Sequence, residues 1–123
     1  TLEKSIGGEL IVPKIPSFNV KDLAKAIGGN IKHEITGIRP GEKLHEEMIT
    51  VSDSINTIEL KDYFIILPSI QFWSKSKLQD NIDEKLKFCQ DGFIYSSQNN
   101  EDFLTVGKLK IIIDDYLRST TKK

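Results

Sequence analysis

Between Glu9 and Ile35 the chain reads Glu9-Leu10-Ile11-Val12, then Val20-Lys21-Asp22-Leu23-Ala24-Lys25-Ala26-Ile27, then Ile31-Lys32-His33-Glu34-Ile35. The first piece is an apolar run of strand length, ended by the Pro13 and Pro16 bracket. In the second, Val20, Leu23, Ala24 and Ile27 fall at i, i+3, i+4 and i+7 and form one apolar helical face, with Lys21, Asp22 and Lys25 pointing away. Ser17 or Asn19 stands where an N-cap belongs, and Gly28-Gly29 supplies the stop. In the third, Ile31, His33 and Ile35 alternate with Lys32, Glu34 and Thr36, the period of a half-buried strand. Strand, helix and strand with short connections predict a parallel, right-handed βαβ unit. The fold class expected is therefore α/β.

In such units ligands gather at the carboxyl ends of the strands. The segment in that position is Gly37-Ile38-Arg39-Pro40-Gly41-Glu42-Lys43-Leu44-His45-Glu46. Pro40 fixes φ near −65° and Gly41 admits a conformation closed to other residues, so a stiff turn is expected. Arg39 offers a planar fork of donors suited to phosphate oxygens. Glu42 is an acceptor-only carboxylate able to hold the vicinal hydroxyls of a ribose. Phosphate and ribose together describe a nucleotide. An Arg–Glu surface pair, with Glu42 or Glu46, would produce the same pattern. A helix over about 42–49 is expected next, with Leu44, Met48 and Ile49 inward and Met48 as core filler.

Downstream, 55–60 and 63–67 read as strands around a Lys61-Asp62 turn, or as a short strand after a loop, with Pro68 limiting the second. Residues 74–91 are polar and without a clear period, which suggests a surface loop with a short helical piece. Phe93 to Ser96 reads as a strand. Thr105 then caps a C-terminal helix with Val106, Leu109, Ile112, Ile113, Tyr116 and Leu117 on its inner side.

Val12-Pro13-Lys14-Ile15-Pro16-Ser17 and Gly37 to Glu46, followed by Asp62-Tyr63-Phe64-Ile65-Ile66-Leu67-Pro68 and Phe93-Ile94-Tyr95-Ser96-Ser97-Gln98-Asn99-Asn100, closely resemble the C-terminal part of the inverting UDP-N-acetylglucosamine 4,6-dehydratases. These are extended short-chain dehydrogenase/reductase enzymes of bacterial surface-sugar biosynthesis. The resemblance covers nearly the whole chain and is loosest from Trp73 to Cys89. It implies that residues 1–123 are the substrate-binding portion of a longer dehydratase, detached from an upstream Rossmann domain. It also implies a UDP-sugar substrate, NADP or NAD bound outside this chain, and a homo-oligomer. By the same resemblance Arg39 reaches the substrate diphosphate and Glu42 a ribose. Two other readings stay open: a different nucleotide-sugar epimerase or dehydratase, and a non-catalytic binding module.

None of the eight glycines forms a G-x-G-x-x-G set, and Tyr63, Tyr95 and Tyr116 are followed four residues on by Leu67, Asn99 and Thr120. The dinucleotide fingerprint and the Tyr-x-x-x-Lys pair of these reductases are thus missing, and catalysis by this chain alone is not expected. A formal net charge of −1 gives no basic field for nucleic acid. The single cysteine, Cys89, excludes an internal disulfide and fits a cytoplasmic protein. No apolar run reaches membrane-spanning length, and nothing at Thr1 resembles a signal peptide. The start at Thr1 rather than Met suggests a piece of something longer.

Among lesser candidates, Lys14 follows the first strand, where a cation could meet phosphate, although most lysines are merely solvated. Asn99 lies in a small polar segment after a strand. Such residues often just build a turn; the resemblance implies a similar segment in the family, which could touch the ligand, hold the nucleotide loop in place or contact a neighbouring subunit. His45-Glu46-Glu47-Met48 is not H-E-x-x-H, so no metal is expected, and His45 reads as a packing or hydrogen-bonding histidine. Trp73 reads as a core or interface aromatic rather than a base-stacking platform.

Overall fold

The computed structural model describes residues 5–70 and 73–120. Its elements in chain order are β1 (Leu10–Pro13), α1 (Val20–Gly28), β2 (Glu47–Ile49), α2 (Val51–Ser54), β3 (Thr57–Glu59), β4 (Tyr63–Ile66), α3 (Lys75–Asn81), β5 (Lys87–Phe88), β6 (Tyr95–Ser96) and α4 (Val106–Thr120). They divide into two compact units. One comprises the described residues through Lys14 together with Glu47–Ser96, the other Ile15–Glu46 together with the described residues from Ser97 onward.

The first unit is built on a four-stranded sheet of order β1-β4-β3-β5, every pair antiparallel. The Lys61-Asp62 turn makes β3 and β4 a hairpin, closed by the Leu60 N–H on the Tyr63 carbonyl at 3.0 Å. β4 is the strand that β1 pairs with, Leu10 opposite Ile66 and Pro13 opposite Tyr63. Its continuous apolar run suits a strand covered on both faces. Ile65 and Leu67 join Ile58, Leu60, Leu78 and Ile82 in a buried cluster on one side. Phe64 joins Val12 and Ile49 on the other, with Phe93 and Tyr95 packed beside it. The Phe64 ring lies 5.3 Å from Phe93 and 5.1 Å from Tyr95, centroid to centroid. Trp73 packs on the first cluster and donates its indole N–H to the Gly7 carbonyl.

The second unit packs α1 against α4, with Ala26 and Leu109 buried. Asn19 caps α1 by accepting the Lys21 N–H, and Gly29, at φ 60°, ends it. A parallel bridge joins Ser17 to Phe103.

The mixed α/β class, the short strands and the C-terminal helix are as expected from the sequence. The parallel βαβ unit is not. β1 pairs antiparallel with β4, and Ile31 to Ile35 forms no strand. Alternation shows only that one face could be buried, whereas a strand exists only where another supplies hydrogen bonds. The sheets lie in the first unit and residues 31–35 in the second, where Ile31 and Ile35 stay 67% and 75% exposed. The helix expected over 42–49 is also absent. Residues 47–49 form β2, which pairs with β6, so only Ile49 is buried while Leu44 and Met48 are exposed. Two helix faces are likewise only partly covered. Val20 and Ile27 on α1, and Ile112, Tyr116 and Leu117 on α4, are exposed.

Candidate functional site

Pro40 and Gly41 make the turn their chemistry requires. The Arg39 carbonyl accepts the Glu42 N–H at 3.0 Å, and Gly41 sits at φ +87°. Pro at the second position and a positive-φ Gly at the third match a type II turn. Glu42 closes it a second time: its Oε2 accepts the Arg39 backbone N–H at 2.9 Å. The Glu42 side chain is therefore fixed by the turn rather than by a helix N-terminus. Among the described residues the Arg39 guanidinium forms no ion pair or hydrogen bond, so a surface pair with Glu42 or Glu46 does not account for it. The turn carries a cation unpaired among the described residues and a carboxylate with one oxygen committed to the Arg39 backbone.

The turn lies in an exposed stretch, residues 30–46, outside any helix and outside the sheets. Just after it, Ser97 Oγ accepts the Glu46 N–H at 3.1 Å and lies 3.3 Å from His45 Nδ1. The Ser97 N–H donates to the Glu46 carbonyl at 2.9 Å. His45 is thus the hydrogen-bonding histidine its sequence context suggested. At the other end, Asn100 Nδ2 donates to the Ile15 carbonyl at 2.8 Å and to Ser17 Oγ at 2.9 Å.

Of the four sequence candidates, the structure brings Arg39 and Glu42 together. Asn99 is exposed in the turn after β6, in the same unit. Lys14 belongs to the other unit, where its Nζ pairs with Glu59 Oε1 at 3.0 Å and lies 4.7 Å from the Phe64 ring centroid. Glu59 also holds Lys87 at 3.0 Å, and these two lysines pull its carboxyl below the usual value of 4.5. Burial pushes the Cys89 thiol up, and the Glu59 charge adds to the effect.

An open cleft of about 280 Å³ is lined by Glu59, Lys87, Phe88, Cys89 and neighbours, and another of about 460 Å³ by Lys25, Gly29, Asn30, Ile31, His33 and Val106. Arg39 and Glu42 line neither of these two and are both exposed. Among the described residues no three His, Cys, Asp or Glu side chains are grouped as metal ligands, and no helix is long and apolar enough to cross a membrane. No glycine set in the sequence spells the dinucleotide fingerprint.

Ser97 and Asn100 had not been singled out individually. The signal for them was the run of small polar side chains directly after a strand, which marks a hydrogen-bonded turn without saying what it ties down.

An inverting UDP-N-acetylglucosamine 4,6-dehydratase of Campylobacter jejuni serotype O:2 is 45% identical over 114 residues, covering 91% of this chain and 34% of that protein. Its counterpart from serotype O:23/36 is 44% identical with the same coverage. Among solved structures, that titled X-ray structure of Pen from Bacillus thuringiensis superposes with a TM-score of 0.62 at 30% identity, over 89% of this chain and 31% of that one. The chain spans about a third of the length of each of these relatives. These matches bear out the resemblance read from the motifs. The family described as polysaccharide biosynthesis protein matches residues 1–68, more than half of the sequence, and the chain belongs to that family.

Proposed function

We propose that this chain is the nucleotide-sugar-binding portion of a longer 4,6-dehydratase acting on UDP-N-acetylglucosamine with inversion at C5. The observation that carries the reading is the Arg39–Glu42 turn. Its guanidinium has no ion pair among the described residues, in a chain 45% identical to a dehydratase of that specificity. In this reading the Arg39 fork takes the diphosphate and the uncommitted oxygen of Glu42 a ribose hydroxyl. Lys14 is left out, because its ammonium is already held by Glu59. Binding energy from the UDP handle, remote from the reacting carbons, orients the sugar for the chemistry, so its loss lowers rate as well as affinity.

The remaining two-thirds of the parent would supply the cofactor site and the catalytic pair. They would also cover the exposed apolar residues Ile31, Ile35, Ile38 and Leu44.

The test is to give the complete protein UDP-N-acetylglucosamine and NADP and follow the product by NMR. A 4-keto-6-deoxy sugar with inverted C5 is expected. Retained configuration would point to a different sugar-nucleotide reaction, and 4-keto product from residues 1–123 alone would contradict the assignment of catalysis to the rest of the enzyme.

A further inference from the structure

Residues 30–46 are exposed throughout. Their hydrogen bonds include Ile31 to Gly28, those within the Arg39–Glu42 turn, and those of His45 and Glu46 to Ser97. A turn carried on such a stretch has its position set at the places where the stretch is tied down. Side-chain ties at both ends of the excursion from Ile15 to Glu46 come from one four-residue segment, while the Ser17 backbone is also held by the Asp102 carbonyl and the Leu104 N–H at 2.8 Å each. Ser97 holds its exit at His45 and Glu46, and Asn100 holds its entry at Ile15 and Ser17. The Asn100 amide is itself oriented, because its Oδ1 accepts the Asp102 N–H at 3.1 Å while Nδ2 makes the two donations.

We infer that Ser97 and Asn100 are positioning residues that preorganise the Arg39–Glu42 turn for a nucleoside diphosphate. This rests on the reading of that turn as the UDP site. Neither residue touches the ligand in this account. Both limit the conformations of the excursion before binding, which removes part of the ordering cost that binding would otherwise carry.

The experiment titrates UDP into the complete protein by calorimetry, as wild type and as the Ser97→Ala, Ser97→Thr, Asn100→Asp, Arg39→Ala and Arg39→Ala/Ser97→Ala variants. Amide hydrogen exchange without ligand and thermal unfolding are measured on the same samples. Ser97→Ala and Asn100→Asp should each bind UDP roughly three- to tenfold more weakly. The Glu42 and Glu46 amides should exchange faster in both, with an unchanged melting temperature. Ser97→Thr, which keeps the hydroxyl, should restore affinity, and adding Ser97→Ala to Arg39→Ala should cost little more, because the tie acts through Arg39.

Wild-type affinity for Ser97→Ala and Asn100→Asp, with Arg39→Ala weakened, would overturn the inference and leave the site reading intact. Additive losses in the double variant with a lowered melting temperature would also overturn it, as a general structural effect. Wild-type affinity for Arg39→Ala would remove the site reading, and the inference with it.

Discussion

Glu42 Oε2 accepts the Arg39 backbone N–H at 2.9 Å while the Arg39 carbonyl accepts the Glu42 N–H at 3.0 Å, so the two residues lock the turn from both sides. One carboxylate oxygen is structural, and the other is the one that the proposed ribose contact would use. A glutamine can still accept the Arg39 N–H, whereas alanine cannot. Glu42→Gln should therefore weaken UDP binding mildly and Glu42→Ala clearly more, in calorimetric titration of the complete protein. Equal losses would mean that the turn does not depend on the side-chain bond.

Gly41 tests the turn itself. At φ +87° with nothing within 4 Å of an added Cβ, the cost of Gly41→Ala is backbone strain alone, about 1–2 kcal/mol. Residues 30–46 hold no buried side chain, so that strain should open the turn locally and leave global unfolding nearly unchanged. UDP affinity should fall about tenfold, with the thermal midpoint close to wild type.

The register of β2 can be read by alanine substitution. A helix over 42–49 would bury Leu44, Met48 and Ile49 alike. The observed strand buries Ile49 completely, at 0% exposure, and leaves Leu44 at 79% and Met48 at 47%. Denaturant unfolding should show Ile49→Ala costing about 2–5 kcal/mol and Leu44→Ala within about 0.5 kcal/mol of wild type. Comparable losses at both positions would restore the helix.

Local chemistry was legible in the sequence where the deciding interactions are local. The Pro40-Gly41 turn, the Asn19 cap, the Gly29 stop and the Lys61-Asp62 hairpin each depend on residues a few positions apart. Pairing across the chain was not legible. Nothing in the apolar run of β1 distinguishes β4 from a strand at 31–35 as its partner, and alternation at Ile31, His33 and Ile35 is the same whether or not a sheet edge is present. Leu78 and Ile82 reached the core from a segment that looked like a polar loop, because α3 is too short to show a period. The Arg39–Glu42 turn was legible from residue type and motif, although the strand end expected to position it does not exist. The side-chain bonds at the ends of its excursion come from Ser97 and Asn100, in a run whose partners lie 51 and more positions away in sequence.

Glu59 should give the first unit a small acid sensitivity. Its carboxyl is held below 4.5 by Lys14 and Lys87, so the charged form is favoured in the fold. That contribution is present above the unfolded value and disappears as pH falls through the folded one. Its side chain is 35% exposed, which limits the pair energies to about 1 kcal/mol or less. Glu59→Gln should lower stability slightly at pH 7, and the difference from wild type should shrink as pH falls through the lowered value of the folded carboxyl. A difference that stays the same once that carboxyl is protonated would show that the glutamine disturbs packing instead.

The most direct measurement of the central claim is calorimetric titration of UDP into the complete protein as wild type, Arg39→Ala and Arg39→Lys, with thermal unfolding of the same samples. Charge-assisted bonds from the Arg39 fork are worth about 1.5–3 kcal/mol each. Arg39→Ala should therefore weaken binding by at least about tenfold, and Arg39→Lys should recover only part of it, since an ammonium keeps the charge but loses the planar fork. Both should melt with wild type, because the guanidinium has no ion pair or hydrogen bond among the described residues. Wild-type UDP affinity in both variants, with or without a lowered melting temperature, would contradict the account and leave Arg39 a surface residue of a structural turn.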